Sequence, residues 1–99
     1  MSFSFVDDVQ FLNTVGQVAQ TEFTPKVLEI DQGYYPLAQM QKLGQVGVFA
    51  PHLNQYGNRL DLAILANAEV GRVCGTSAFL TWCHQVCGLY LDQSDNALL

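Results

Sequence analysis

The residues best equipped for chemistry sit close together near the end of this 99-residue chain, at Cys83-His84-x-x-Cys87. Thiolate and imidazole are zinc ligands, and positions 83 and 87 share one face of a helix. A structural zinc site takes four ligands, however, and the other candidates, Cys74 and His52, stand in separate segments with no knuckle spacing. The order is also wrong for c-type haem attachment, which needs Cys-x-x-Cys-His. No metal is therefore expected. The thiols read as buried along an apolar helix, the ordinary state of free cysteine.

Nucleophilic catalysis by the same residues is disfavoured too. Adjacent side chains on a helix point about 100° apart, which separates Cys83 from His84. His84 and Cys87 are close enough to touch, but no third residue is placed to orient the imidazole. The carboxylates Glu22, Glu29, Asp31, Glu69 and Asp92 form no evident acid/base pair. Glu69 and Arg72 have the i, i+3 spacing of a helix-surface ion pair, worth a few tenths of a kcal/mol, about 0.2–0.5. Gly44-x-x-Gly47 and Gly71-x-x-x-Gly75 lack the strand–turn–helix context and the Lys of a phosphate-binding loop.

The elements that must carry these residues are helical, with no convincing strand. Phe5, Val9, Leu12, Gly16, Ala19 and Phe23 recur every three or four positions, predicting one inner helix face. Ser4 is a plausible N-cap, with Asp7 and Asp8 in the first turn. Thr24 precedes Pro25, which disfavours an α conformation there and should end or kink the helix. A short turn with Val27, Leu28 and Ile30 follows. Pro36 suits the first position of a third helix with Leu37, Met40 and Leu43 as its apolar stripe. Gly44 and Gly47 end that helix or admit a close neighbour. Residues 48–59 read as a loop, and Asp61 as the cap of a fourth helix with Leu65, Ala66, Val70 and Val73 facing inward. Gly75-Thr76-Ser77 should break the chain and cap a fifth helix over 78–91. The tail from Asp92 to Leu99 carries no stop signal of its own.

Composition narrows the function classes. A chain this short buries only about 60–65% of its unfolded surface. With 49% hydrophobic and 13% charged residues, some apolar surface should meet another domain or subunit. The net charge of −5 and four scattered cations, Lys26, Lys42, Arg59 and Arg72, argue against nucleic acid and against an anionic membrane surface. Residues 78–91 are the longest apolar stretch, but at about 21 Å they are too short to span a bilayer. Acids near the start, where a leader would carry Lys or Arg, and three cysteines that cannot all pair suggest a reduced, cytoplasmic protein.

The punctuation of the chain is more specific than its composition. It runs Glu22-x-x-Pro25, Glu29-x-Asp31-x-Gly33-x-x-Pro36, Leu43-Gly44-x-x-Gly47, Tyr56-Gly57, Leu60-Asp61 and Glu69-x-x-Arg72 to His84. This series resembles the N-terminal helical domain of the acyl-CoA dehydrogenase family. The departures are Asn58 in place of a second loop glycine, Pro51 three residues early, and an acid–arginine spacing shortened by one. The resemblance implies an all-α bundle of about five helices over residues 1–99. It makes this the N-terminal portion of a longer enzyme whose middle β domain and C-terminal helical domain lie outside the sequence.

By the same resemblance, the complete enzyme would be an FAD-dependent oxidoreductase acting on CH–CH groups of acyl-CoA thioesters, and a homo-oligomer. Its flavin contacts and catalytic base would come mainly from the other domains or a complementary subunit. No catalytic residue is assigned in this chain, and FAD is not expected to bind it alone. Its contribution would be the helix 78–91, with Ala78, Phe79, Trp82, Cys83 and Val86 on one face walling the acyl pocket. The competing expectations are that this face packs on the bundle's own core, or that the chain is a stand-alone interaction module without flavin chemistry.

Overall fold

Asp7 opens the first helix. Its backbone is extended and its carboxylate accepts a hydrogen bond from the Gln10 N–H at 3.0 Å, so it is the N-cap. The computed structural model describes residues 7–92, and Ser4 and Phe5 lie outside that range, as does the tail after Asp92. All regular elements among the described residues are helical. They are α1 (Asp8–Val18), α2 (Val27–Asp31), α3 (Leu37–Gln45), α4 (Leu60–Gly71) and α5 (Gly75–Asp92), with single turns of wider or tighter helix between. α4 is the central helix, packed on one side against α1 and on the other against α5. None of these helices is long and apolar enough to cross a membrane.

The inner face of α1 is not the predicted one. Phe11, Val15, Ala19 and Phe23 are buried, whereas Val9 is 69% exposed and Leu12 and Gly16 are only half-buried. The cause is a π-helical turn at Ala19–Phe23. A π turn inserts one residue into the helical repeat, so a phase traced back from Phe23 through Ala19 slips by one beyond it. The same turn explains why Thr24 does not break the chain. Thr24 keeps α backbone angles, φ −52° and ψ −45°, and a tight 3-10 turn at Thr24–Lys26 carries Pro25 into α2. The widened turn relieves the clash that a proline ring makes with the carbonyl four residues earlier.

The glycine punctuation marks helix ends. At Gly33, φ +109°, the Tyr34 N–H reaches the Glu29 carbonyl while the Gly33 N–H reaches Ile30. Gly47, φ +91°, repeats the pattern with Val48 on Leu43 and itself on Gly44. Both are left-handed stops that give partners to terminal carbonyls of the helix before them and that a side chain would strain. Asn58 is the one described non-glycine residue with positive φ, at 56°. Asn tolerates that conformation through its short polar side chain, so it can stand where a second glycine was expected.

Several inward assignments shift by a residue or two. Leu28, Leu37 and Leu65 are exposed at 77, 58 and 49%, and the core is instead built from Ile30, Met40, Leu43, Leu62, Ala66 and Val70 among others. Pro36 is the residue before α3 rather than its first. Asp61 does not cap α4. Both its oxygens accept from Arg59, which also grips both oxygens of Asp8, at 2.8 and 3.4 Å, and so ties the start of α1 to the start of α4. α5 begins three residues before the predicted 78, because Cys74 supplies the first acceptors. Its carbonyl takes the Ala78 N–H at 3.0 Å and its sulfur the Ser77 N–H at 3.4 Å.

Candidate functional site

α5 has two faces of opposite character, and its seating is decided by the inner one. Cys74, Ser77, Thr81 and Gln85 point into the bundle and are at most 3% exposed. The spacing of three to four residues keeps them on one line. Gln85 is the principal tie. Its side-chain amide donates to the Val48 carbonyl at 3.1 Å and to the Ala63 carbonyl at 3.0 Å, joining the loop after α3, α4 and α5. The Gln85 backbone carbonyl in turn accepts from His52 Nε2 at 2.6 Å. A carbonyl can only accept, so His52 donates from Nε2, and its buried Nδ1 has no hydrogen-bond partner among the described residues. Thr81 donates to the Ser77 carbonyl at 2.8 Å. Sequence reasoning missed this polar stripe. Its only signal is the i, i+4, i+8 recurrence of Ser77, Thr81 and Gln85 within an otherwise apolar helix.

The outer face is apolar and uncovered. Phe79 is 66% exposed and Trp82 38%, Cys83 is exposed, and Ala78 and Val86 are half-buried. Of the five residues predicted to share a face, Phe79, Trp82 and Cys83 are exposed and Val86 is half-buried, while Ala78 packs against the core. Trp82, Cys83 and Val86 line an open groove of about 450 Å³. Ala78 does not line it; it faces α4, with its Cβ close to Gly71. Phe79 is not part of the lining either. Cys87, Tyr90 and Leu91 complete the lining, and were legible as the continuation of the same helical period. Both thiols here are exposed, contrary to the expectation of burial; only Cys74 is buried.

His84 is held away from both cysteines' groove. Its Nε2 lies 3.0 Å from the Tyr35 hydroxyl and its ring centroid 5.4 Å from that of Phe49. Among the described residues no group of three or more His, Cys, Asp or Glu side chains gathers as a metal site. The carboxylates are likewise separate. Glu29 pairs with Lys26, Asp31 accepts from the Thr76 hydroxyl, and Asp92 accepts from the Asn54 N–H.

A second cleft, of about 490 Å³, runs between α1 and α4. Asn13, Gln17 and Gln20 line one side, Glu69 and Arg72 the other. Arg72 Nη1 stands 3.6 Å from Glu69 Oε1, so the ion pair expected from the spacing forms. Glu69 leans over Gly16, where an added Cβ would come within 3.2 Å of its Oε2. Arg59 holds the Asp61 carboxyl below the usual carboxylate range through its hydrogen bonds, and that interaction in turn raises the already high pKa of the guanidinium. This cluster is an electrostatic clasp at a helix junction, remote in sequence and role from the groove on α5.

Compared with known proteins, residues 7–94 match the family model described as acyl-CoA dehydrogenase, N-terminal domain. No curated protein and no solved structure matches the chain.

Proposed function

The chain belongs to the acyl-CoA dehydrogenase family through its N-terminal domain, and from that premise we propose that it serves an FAD-dependent oxidoreductase acting on the CH–CH bond of acyl thioesters. In this reading the outer face of α5 is one wall of the acyl pocket, with Trp82, Cys83 and Val86 against the alkyl chain and Ala78 and Phe79 at its margin. Domain interfaces take the rest of the exposed apolar surface, and the active species is an oligomer or a complex with the remaining domains. The observation that carries the proposal is the division of α5 into a hydrogen-bonded inner face and an uncovered apolar outer face.

Among the described residues, few cations are free to hold a flavin's pyrophosphate. A dinucleotide needs cations or helix-start amides for its pyrophosphate, and three of the four cations are already committed. Lys26 pairs with Glu29, Arg59 with Asp8 and Asp61, and Arg72 with Glu69. The groove on α5 offers thiols, a phenol, one indole N–H and carbon, and no side-chain amide or cation. No step is therefore derived through the flavin. The part assigned to these residues is to exclude water and to fix the length and shape of the chain that fits.

Trp82→Ala in the enzyme carrying this domain tests the assignment. The indole is more than a third exposed, so its loss should cost much less than the roughly 3–5 kcal/mol of a core Trp truncation. The substrate preference should move toward longer acyl groups, each added buried methylene recovering at most about 0.8 kcal/mol, or roughly fourfold in kcat/KM. Kinetics over an acyl-CoA length series, run beside thermal melts, decides. An unchanged length profile would remove α5 from the pocket. Absence of flavin-dependent turnover of any acyl-CoA would favour the interaction-module reading.

A further inference from the structure

Cys83 and Cys87 stand four residues apart on α5, both exposed and both lining the same groove. Their Cβ atoms are therefore about 5–6 Å apart on the helix surface. A disulfide needs Cβ atoms about 3.5–4.5 Å apart, so the two sulfurs cannot bond each other while the helix is intact. A single atom that bonds both is another matter. Two bonds of about 2.3 Å, at angles from the roughly 95° of a pyramidal trivalent centre to linear, place sulfurs roughly 3.4–4.6 Å apart, a span the two side chains cover by turning toward each other.

The surroundings select the kind of atom. His84, between the two cysteines in sequence, is engaged with Tyr35 and Phe49 and supplies no third ligand. The other groove residues, Trp82, Val86, Tyr90 and Leu91, bring no carboxylate or imidazole. Hard cations need several oxygen ligands and structural zinc needs four donors, so neither suits two thiols on an apolar wall. Soft centres of low coordination number do suit them. We propose that Cys83 and Cys87 form a dithiol clamp on the outer face of α5 that captures one thiophilic centre of low coordination number, of which a trivalent arsenical is the type. The expectation of no metal rested on the lack of a four-ligand zinc set and of a haem-attachment order, and a two-thiol clamp needs neither. It does not depend on the acyl-pocket assignment.

With an organoarsenic oxide the step balances without any redox partner. Two arsenic–sulfur bonds form, the two S–H bonds and the arsenic–oxygen bond break, and the oxygen leaves as water carrying both thiol protons. Capture places the adduct beside Trp82, the single tryptophan of the chain, which provides an optical signal.

The test is titration of the reduced full chain with phenylarsine oxide, followed by intact mass and by Trp82 emission. The expected result is one arsenical per chain, an emission change that breaks at one equivalent, resistance to a monothiol wash and removal by a small dithiol. Cys83→Ser and Cys87→Ser should each weaken retention at least about 100-fold, because the second bond is intramolecular, while Cys74→Ser should not. Circular dichroism melts confirm that the variants fold, and N-ethylmaleimide treatment of the unaltered chain, which should abolish capture, gives an answer independent of them. The proposal is overturned if the unaltered chain takes up no arsenical, if either single-serine variant holds it as well, if retention depends on Cys74, or if one arsenical joins two chains.

Discussion

At the scale of the residue, Gln85 does the most to hold α5 in place. It is 1% exposed, and its amide nitrogen serves two carbonyls from different elements. Gln85→Met keeps roughly the side chain's volume and removes both donated bonds. The expected loss is about 1–3 kcal/mol, the cost of leaving a buried acceptor unserved. Chemical denaturation of the two proteins measures it, and a change under half a kcal/mol, about the noise of a surface substitution, would mean that the amide bonds are not holding the helix. This residue was not legible beforehand, because a glutamine in an apolar run looks like a point of exposure. Only the partners, carbonyls 22 and 37 residues away, turn it into a core residue. The outer-face residues were legible only as a group: helical period places Trp82, Cys83 and Val86 together, and the burial of Ser77, Thr81 and Gln85 is what turns the group outward.

At the scale of the element, the π turn in the first helical segment has the clearest consequence. It moves the buried line from Val9 and Leu12 to Phe11 and Val15. Val15→Ala should then cost on the order of 1–3 kcal/mol, while Val9→Ala stays within about 0.5 kcal/mol of neutral. Melting curves for the pair suffice, and equal losses would mean that the unshifted helical phase is the correct one. Periodicity cannot reveal such a turn, since it assumes a constant 3.6 residues per turn and an inserted residue changes the phase without changing the composition. Pro25 is the visible clue: of the end or kink that it predicts, the structure takes a widened turn ahead of the proline and a tight one through it.

The junction of α1 with α4 has a pH dependence of definite sign. Asp61 titrates below its ordinary range because Arg59 donates to it. A carboxylate whose folded pKa is depressed contributes stability that is fully present above its unfolded value, about pH 4, and is lost as pH falls through the lower folded value. Arg59→Gln should accordingly lower the melting temperature at pH 7, with the difference shrinking as acid protonates Asp61 below its ordinary range. Because these side chains are exposed, the effect is modest and should shrink in high salt. A difference between the two proteins that persists undiminished at pH 2 would assign the effect to packing of the arginine stem.

At the scale of the whole molecule, the uncovered side of α5 should govern association. Phe79, Trp82 and Tyr90 are 66, 38 and 71% exposed on one helix, where Leu28 and Leu37 stand apart on others. The isolated chain is expected to self-associate or to bind a hydrophobic dye through this face. Phe79→Lys or Val86→Lys should suppress both, and Leu28→Lys should not. Sedimentation and dye titration provide the comparison, and a clean monomer without dye binding at high concentration would count against an interface here. The all-α class was legible from period and punctuation, since each glycine that stops a helix falls where a stop was expected. The direction in which each helix turned its apolar side was less so, because Leu28, Leu37 and Leu65 are as hydrophobic as the residues that displaced them from the core.

One consequence of the two-sided α5 concerns how such a domain can diversify. The helix is seated by the hydrogen bonds of Gln85 to two other elements and by the burial of Ser77 and Thr81 beside it, while the opposite side carries the groove. A change at position 79, 82 or 83 alters what the groove admits without loosening the anchor, and a change in the anchor is selected against whatever the groove contains. Innovation on the outside is thereby uncoupled from foldability on the inside. A lineage carrying this arrangement can explore new ligands by single steps, each of which leaves a folded protein for the next.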